Sequence, residues 1–109
     1  MLGEFEYVLI TTAAGLGENA YGVAIREEIE ATIERKCSMG ALYTTMDRLE
    51  EKGLLETWVG EATPQRGGRG KRMVRVTPQG MRAAKEFYDA VLRVSRGASW
   101  VENRMGRAS

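Results

Sequence analysis

The chain has 109 residues, 43% of them hydrophobic and 28% charged, with a formal net charge of +1; that is one compact domain with a modest core, and too little for two ordinary ones. A single cysteine and no histidine exclude an internal disulfide and the usual zinc constellations, so no cofactor or structural metal is expected. No apolar run approaches about 18 residues, and Glu4 and Glu6 stand where a secretory leader carries Lys or Arg, so a soluble cytoplasmic protein with no membrane partner is predicted.

Taken in chain order, Phe5, Val8, Leu9 and Thr12 recur at helical spacing and predict a first helix over roughly 3–15, stopped by Gly15 and Gly17. Asn19 is the expected cap of a second helix, with Tyr21, Ile25, Ile29 and Ile33 on one stripe and Arg26, Glu27, Glu28 and Glu30 outside. Ser38 is the expected cap of a third, whose inward face is Met39, Leu42, Met46 and Leu49 and whose end is Gly53. The period then changes. Residues 54–60 (LLETWVG) and 71–77 (KRMVRVT) are β-branched and aromatic runs of strand length, joined by a Gly, Pro and Arg-rich tip, and predict a hairpin. Thr77 followed by Pro78 starts a last helix carrying Ala84, Phe87, Tyr88, Val91, Leu92 and Val94. Three helices, a β-hairpin and a trailing helix make a mainly helical α+β chain of the winged helix-turn-helix type. On that reading residues 1–77 would form a DNA-binding domain and 78–109 a dimerisation helix and tail.

The charges are segregated. From Glu18 to Glu56 nine acids face five bases, whereas from Gln65 to Lys85 there are seven bases and no acid. An anionic partner is the natural complement of such a segment. Gly67, Gly68 and Gly70 let backbone approach phosphate closely around Arg66, Arg69, Lys71 and Arg72. Projected at about 100° per residue, the third helix turns Gly40, Ala41, Thr44, Asp47, Arg48 and Glu51 outward. Its N-terminal half, small and hydroxylated and headed by Ser38, suits a major groove, with Arg48 in reach of a phosphate or guanine. Asp47 and Glu51 would be repelled, so the helix should enter by its N-terminal end.

Competing chemistries fail on spacing. Gly70-Lys71 lacks both the upstream glycine and the following Ser or Thr of a P-loop, and a single RGG unit between strands is a weak RNA signal. No His and no organised carboxylate pair leave nothing to catalyse with. The remaining alternative to duplex DNA is a winged-helix interaction module whose basic wing binds an acidic protein.

The segments AYGVAIREEIE (20–30), SMGALYTTMDRLEEKGLLE (38–56) and GGRGKRMVRVTPQG (67–80) together resemble the PadR family of transcriptional regulators over roughly residues 3–96. The pattern is carried by Leu42, Tyr43, Met46, Leu49, Glu50, Gly53 and Leu54, followed by the Gly/Arg wing and Thr-Pro-x-Gly. The resemblance implies a homodimeric repressor in which Tyr43 and the early residues of the third helix face DNA and the wing bases grip the backbone. About 30 residues follow Thr77, which resembles the short subgroup with a single C-terminal dimerisation helix. It also implies a small hydrophobic or aromatic effector near the dimer interface. The candidates for that effector or for the interface itself are Phe5, Leu9, Phe87, Tyr88, Val91 and Trp100.

The residues agree with a dimer, since the apolar stripe of the last helix covers more circumference than one small domain needs. A two-fold pair would address a palindromic operator with half-sites about one helical turn, roughly 34 Å, apart. Trp100 lies beyond Gly97, where the helix is ending; it either closes over a ligand or pins the tail. Cys37 reads as a small buried hydrophobe rather than a redox switch.

Overall fold

The structure is a computed structural model, which describes residues 1–62 and 70–101. Helix α1 runs Glu4–Leu16, α2 Gly22–Ile33 and α3 Met39–Glu51; strands β1 (Leu55–Ala62) and β2 (Gly70–Val76) pair antiparallel, and α4 runs Pro78–Ser95. None of the helices, among the described residues, is long and apolar enough to cross a membrane. The order α1, α2, α3, β1, β2, α4 is a winged helix-turn-helix with a C-terminal helix added.

Local chemistry sets the boundaries. At the start of α1 the Glu6 carboxylate accepts the Gly3 amide at 2.8 Å, so an acid of the first turn stands in for a capping side chain. Gly15 lies inside the helix; Gly17, at φ 58, ends it. The expected cap of α2 is displaced. Gly17–Asn19 form a 3₁₀ turn and Tyr21, extended at φ −145, is the N-cap. The reason is tertiary: the Val74 amide donates to the Ala20 carbonyl at 3.0 Å, and Tyr21 makes a single antiparallel bridge with Met73, so this segment is held extended beside β2. The stripe of α2 also stops early, because Ile25 and Ile29 are buried while Ile33, next to the left-handed Glu34, is 39% exposed.

Helix α3 starts as its sequence dictates, with Ser38 Oγ accepting from the Ala41 amide at 3.0 Å. It ends in a Schellman motif, in which the Leu54 amide reaches the Leu49 carbonyl and the Gly53 amide the Glu50 carbonyl. Gly53, at φ 78, supplies the left-handed turn. Leu42, Met46 and Leu49 pack with Leu9, Ile10, Ile25, Ile29 and Leu55 in one core.

The Thr-Pro-x-Gly sequence is a joint. Thr77 Oγ1 donates to the Gly53 carbonyl at 2.7 Å and accepts the Gly80 amide at 3.0 Å, tying the end of α3 to the start of α4. A Cβ at Gly80 would collide with the Leu54 carbonyl oxygen, so only glycine lets α4 lie this close to the hairpin. The hairpin pairs Leu55 with Val76 through Val59 with Arg72, then shifts register before Ala62 meets Gly70. Both strands therefore run closer to the tip than the apolar pattern alone predicts.

One expectation fails outright here. Leu9 has 0% exposure inside the protomer's own core, so it faces neither a partner chain nor a ligand. Its spacing marks the helix correctly, but α1 is enclosed by α2, α3 and α4 on that side.

Candidate nucleic-acid interface

The outer face of α3 is as the helical projection predicts: Gly40, Ala41, Thr44, Asp47, Arg48 and Glu51 are all exposed, as is Ser38 at the cap. Thr45 is the hydroxyl that does not join them, since it is buried and donates back to the Ala41 carbonyl at 3.0 Å. Tyr43 is half-buried, and its ring lies against Gly22 at the start of α2, where a Cβ would come within 2.7 Å of the phenol oxygen. Gly22 is thus what allows the ring to sit at the junction of α2 and α3.

Two of the basic candidates are committed to neighbours within the protein. Arg72 Nη2 donates to Asp47 at 2.6 Å, lies 3.7 Å from Glu50 and reaches Thr57 at 3.4 Å. Its guanidinium also covers the Tyr43 ring, 5.4 Å from the centroid. Glu50 in turn accepts the Thr57 hydroxyl at 3.0 Å. Rather than a free phosphate ligand, Arg72 is a strut between β2 and α3 that neutralises Glu50 and Asp47, of which only Asp47 is among the acids expected to point away from DNA. Arg48 turns toward α1, 4.0 Å from Glu6, with 52% of its side chain exposed. Lys52 shares that carboxylate at 3.1 Å. The Gly3 amide, helped by Lys52 and Arg48, holds the Glu6 carboxyl below its ordinary value against the opposing cost of burial.

Lys71 extends along the other side of the hairpin, its ammonium 4.3 Å from the centre of the Tyr21 ring. The structure therefore brings Ser38, Gly40, Ala41, Tyr43, Thr44 and the base of the wing together, while Arg48 is drawn off toward α1. Arg66 and Arg69 lie outside the described residues. The strut escaped the sequence reading, although one signal was there: acids at positions 47 and 50 of a helix meant to approach DNA call for a nearby cation.

The other candidates sit on the far helices. Phe87 stacks on Tyr7 of α1 with centroids 4.7 Å apart, and Phe5 is half-buried. Tyr88, Val91 and Trp100 are 50%, 42% and 82% exposed. Cys37 is buried just before α3; desolvation, then the Glu30 carboxylate, push its thiol pKa up, which favours an inert thiol.

Solved structures share this architecture. A transcriptional regulator from Clostridium thermocellum superposes with a TM-score of 0.70 at 21% identity, over 89% of this chain and 92% of that one. A PadR family transcriptional regulator from Eggerthella lenta matches at 25% identity and TM-score 0.67, over 86% and 81%. F93 from STIV, a winged-helix DNA-binding protein, matches at 21% identity and TM-score 0.67, over 86% and 94%. No curated protein sequence matches the chain. The transcriptional regulator PadR-like family matches residues 14–86, from the end of α1 to the middle of α4. With the helix-turn-helix, the hairpin and the Thr-Pro-x-Gly joint all inside that span, the chain belongs to the PadR-like family of winged-helix, DNA-binding transcriptional regulators, which are not enzymes.

Proposed function

We propose that the protein is a homodimeric, cytoplasmic repressor that reads a palindromic operator and is released from it by a small hydrophobic or aromatic effector. The observation that carries this reading is the exposed, small and hydroxylated N-terminal half of α3 beside the wing base. Residues 1–77 do the reading. Ser38, Gly40, Ala41, Tyr43 and Thr44 meet the groove, with Ser38 and the free amides of the first turn near phosphate. Lys71, and Arg66 and Arg69 by their charge, supply sequence-independent grip. Arg72 and Arg48 act mainly by cancelling Asp47, Glu50 and Glu6.

Residues 78–109 do the pairing. The support is the exposed stripe of Tyr88, Val91, Leu92 and Val94, which a second copy would cover. An effector held among Phe5, Phe87, Tyr88 and Val91 would act by changing how two copies meet, and so the spacing of their reading helices.

A fluorescence anisotropy titration against the DNA upstream of the protein's own gene tests the reading. Specific binding should be tighter than binding to random duplex at matched salt. It should fall by on the order of 10³-fold between about 50 and 200 mM salt if six or more phosphates are engaged. Equal affinity for random duplex overturns the operator claim.

A further inference from the structure

Two successive residues of β2 carry the cations at the base of the wing, and their surroundings differ. Arg72 lies 2.6 Å from Asp47 and 3.7 Å from Glu50, so much of its charge is cancelled inside the protein. Lys71, on the other face of the strand, is half-buried and forms no salt bridge with a carboxylate among the described residues. Its neighbour is an uncharged ring, the centre of Tyr21 at 4.3 Å from the ammonium. The negative face of the ring attracts the ammonium without neutralising it, and an ammonium has three N–H donors of which the ring face cannot use all.

Main-chain bonds fix that meeting. Tyr21, extended at φ −145, makes its antiparallel bridge with Met73, and the Val74 amide holds the Ala20 carbonyl beside it. Lys71 stands two residues before Met73, on the same face of β2 and diagonal to Tyr21 across the bridge, a separation that aromatic and long side chains span. The backbone therefore sets where the ring lies, and the flexible lysine follows it. Tyr21 also precedes Gly22, against which the Tyr43 ring rests, so Lys71 is referred to the same point of the helix-turn-helix as the start of the reading face.

We propose that Tyr21 is a positioning residue for DNA binding, which presents the Lys71 ammonium, still fully charged, to a backbone phosphate. The proposal rests on the grip assigned to Lys71 above and adds what prepares it. A free lysine gives up the rotamer freedom of its long side chain when it clamps a phosphate; one already seated on a ring has given up part of it before DNA arrives. An acid in place of the ring would orient the lysine equally well but would have to be displaced by the phosphate, as Asp47 would at Arg72.

A double-mutant cycle tests it, read by fluorescence anisotropy on a random duplex, because a phosphate contact does not depend on sequence. In the native chain Lys71→Ala should weaken binding and lower the salt slope by about 0.9. Tyr21→Leu, which keeps an apolar side chain but removes the ring, should weaken binding about threefold and make a further Lys71→Ala about threefold less costly than it is in the native chain. Tyr21→Phe, which keeps the ring face, should leave both values as they are. Each background supplies its own reference, so a general weakening caused by the leucine cancels from the coupling. Equal costs of Lys71→Ala beside Tyr, Phe and Leu overturn the positioning role and leave Lys71 a phosphate ligand in its own right. A phenylalanine chain that behaves like the leucine chain also overturns it, since the ring face is then not what presents the lysine. If Lys71→Ala changes neither affinity nor salt slope in the native chain, the grip and its positioning residue fall together.

Discussion

Helices α3 and α4 both begin on a hydroxyl cap, Ser38 and Thr77, and both are amphipathic, yet they place their apolar residues differently. In α3, Leu42, Met46 and Leu49 are wholly enclosed and the outer face is polar. In α4 only Gly80 is buried, and Tyr88, Val91, Leu92 and Val94 remain in contact with water. The contrast teaches where each helix finds its partner. A helix whose stripe is satisfied inside the domain keeps its outer face for a polar ligand, whereas one whose stripe is left open needs an apolar one.

The largest expected effect separates the two stripes. Leu49→Ala should cost about 3 kcal/mol in urea unfolding, at any protein concentration, because it opens a cavity in the core. Leu92→Ala should cost a lone protomer little but, on the proposed dimer, move the unfolding midpoint in a concentration-dependent way, because a second copy would cover the surface it trims. Equal, concentration-independent losses would break the comparison.

The next effect lies on the polar side. Arg72→Ala leaves Asp47 and Glu50 without their shared cation beside the proposed DNA face, so all duplexes should bind roughly tenfold more weakly. Adding Asp47→Asn should restore part of that loss. Lys71→Ala should instead lower the salt slope by about 0.9, the signature of one phosphate contact. No recovery with Asp47→Asn would make Arg72 an ordinary phosphate ligand.

Thr44→Ala should have a smaller and different consequence. If the Thr44 hydroxyl or methyl reads a base, its removal should change the ranking of operator variants by about 1 kcal/mol at one position per half-site, with the salt slope unchanged. A uniform loss across all variants would assign the residue to the backbone instead.

Much of this was legible in the sequence, and the parts that were not have a common cause. The stripe of α3, its Ser38 cap, its Gly53 stop and the Thr77-Pro78 start of α4 depend on residues close in the chain, so local rules sufficed. Asn19 lost the cap of α2 because β2, more than 50 residues away, claims the Ala20 carbonyl. Leu9 reads as an effector or interface candidate because periodicity gives a stripe without saying what covers it. The Arg72 strut joins positions 25 residues apart and the Lys52 contact to Glu6 joins positions 46 apart. Charge segregation along the chain shows a basic wing but not that some of its charge is spent on acids of α3.

The smallest effect expected is at Glu6, where α3 is tied to α1. Its carboxyl is held below the ordinary value of 4.5 by the Gly3 amide, then by Lys52 and Arg48. An acid with a depressed folded-state pKa contributes stability above its unfolded value and loses it as pH falls through the folded one. Stability should therefore decline below about pH 4.5 more steeply in the native chain than in Glu6→Gln, which starts lower at pH 7 and has a flatter acid limb. The difference should be modest, because the Arg48 and Lys52 side chains are 52% and 48% exposed and solvent screens them. Urea midpoints from pH 7 to pH 3 measure it. If the two acid limbs superimpose, the tie between α1 and α3 rests on Leu9, Ile10, Met46 and Leu49 alone, and Arg48 is then free to serve the DNA face.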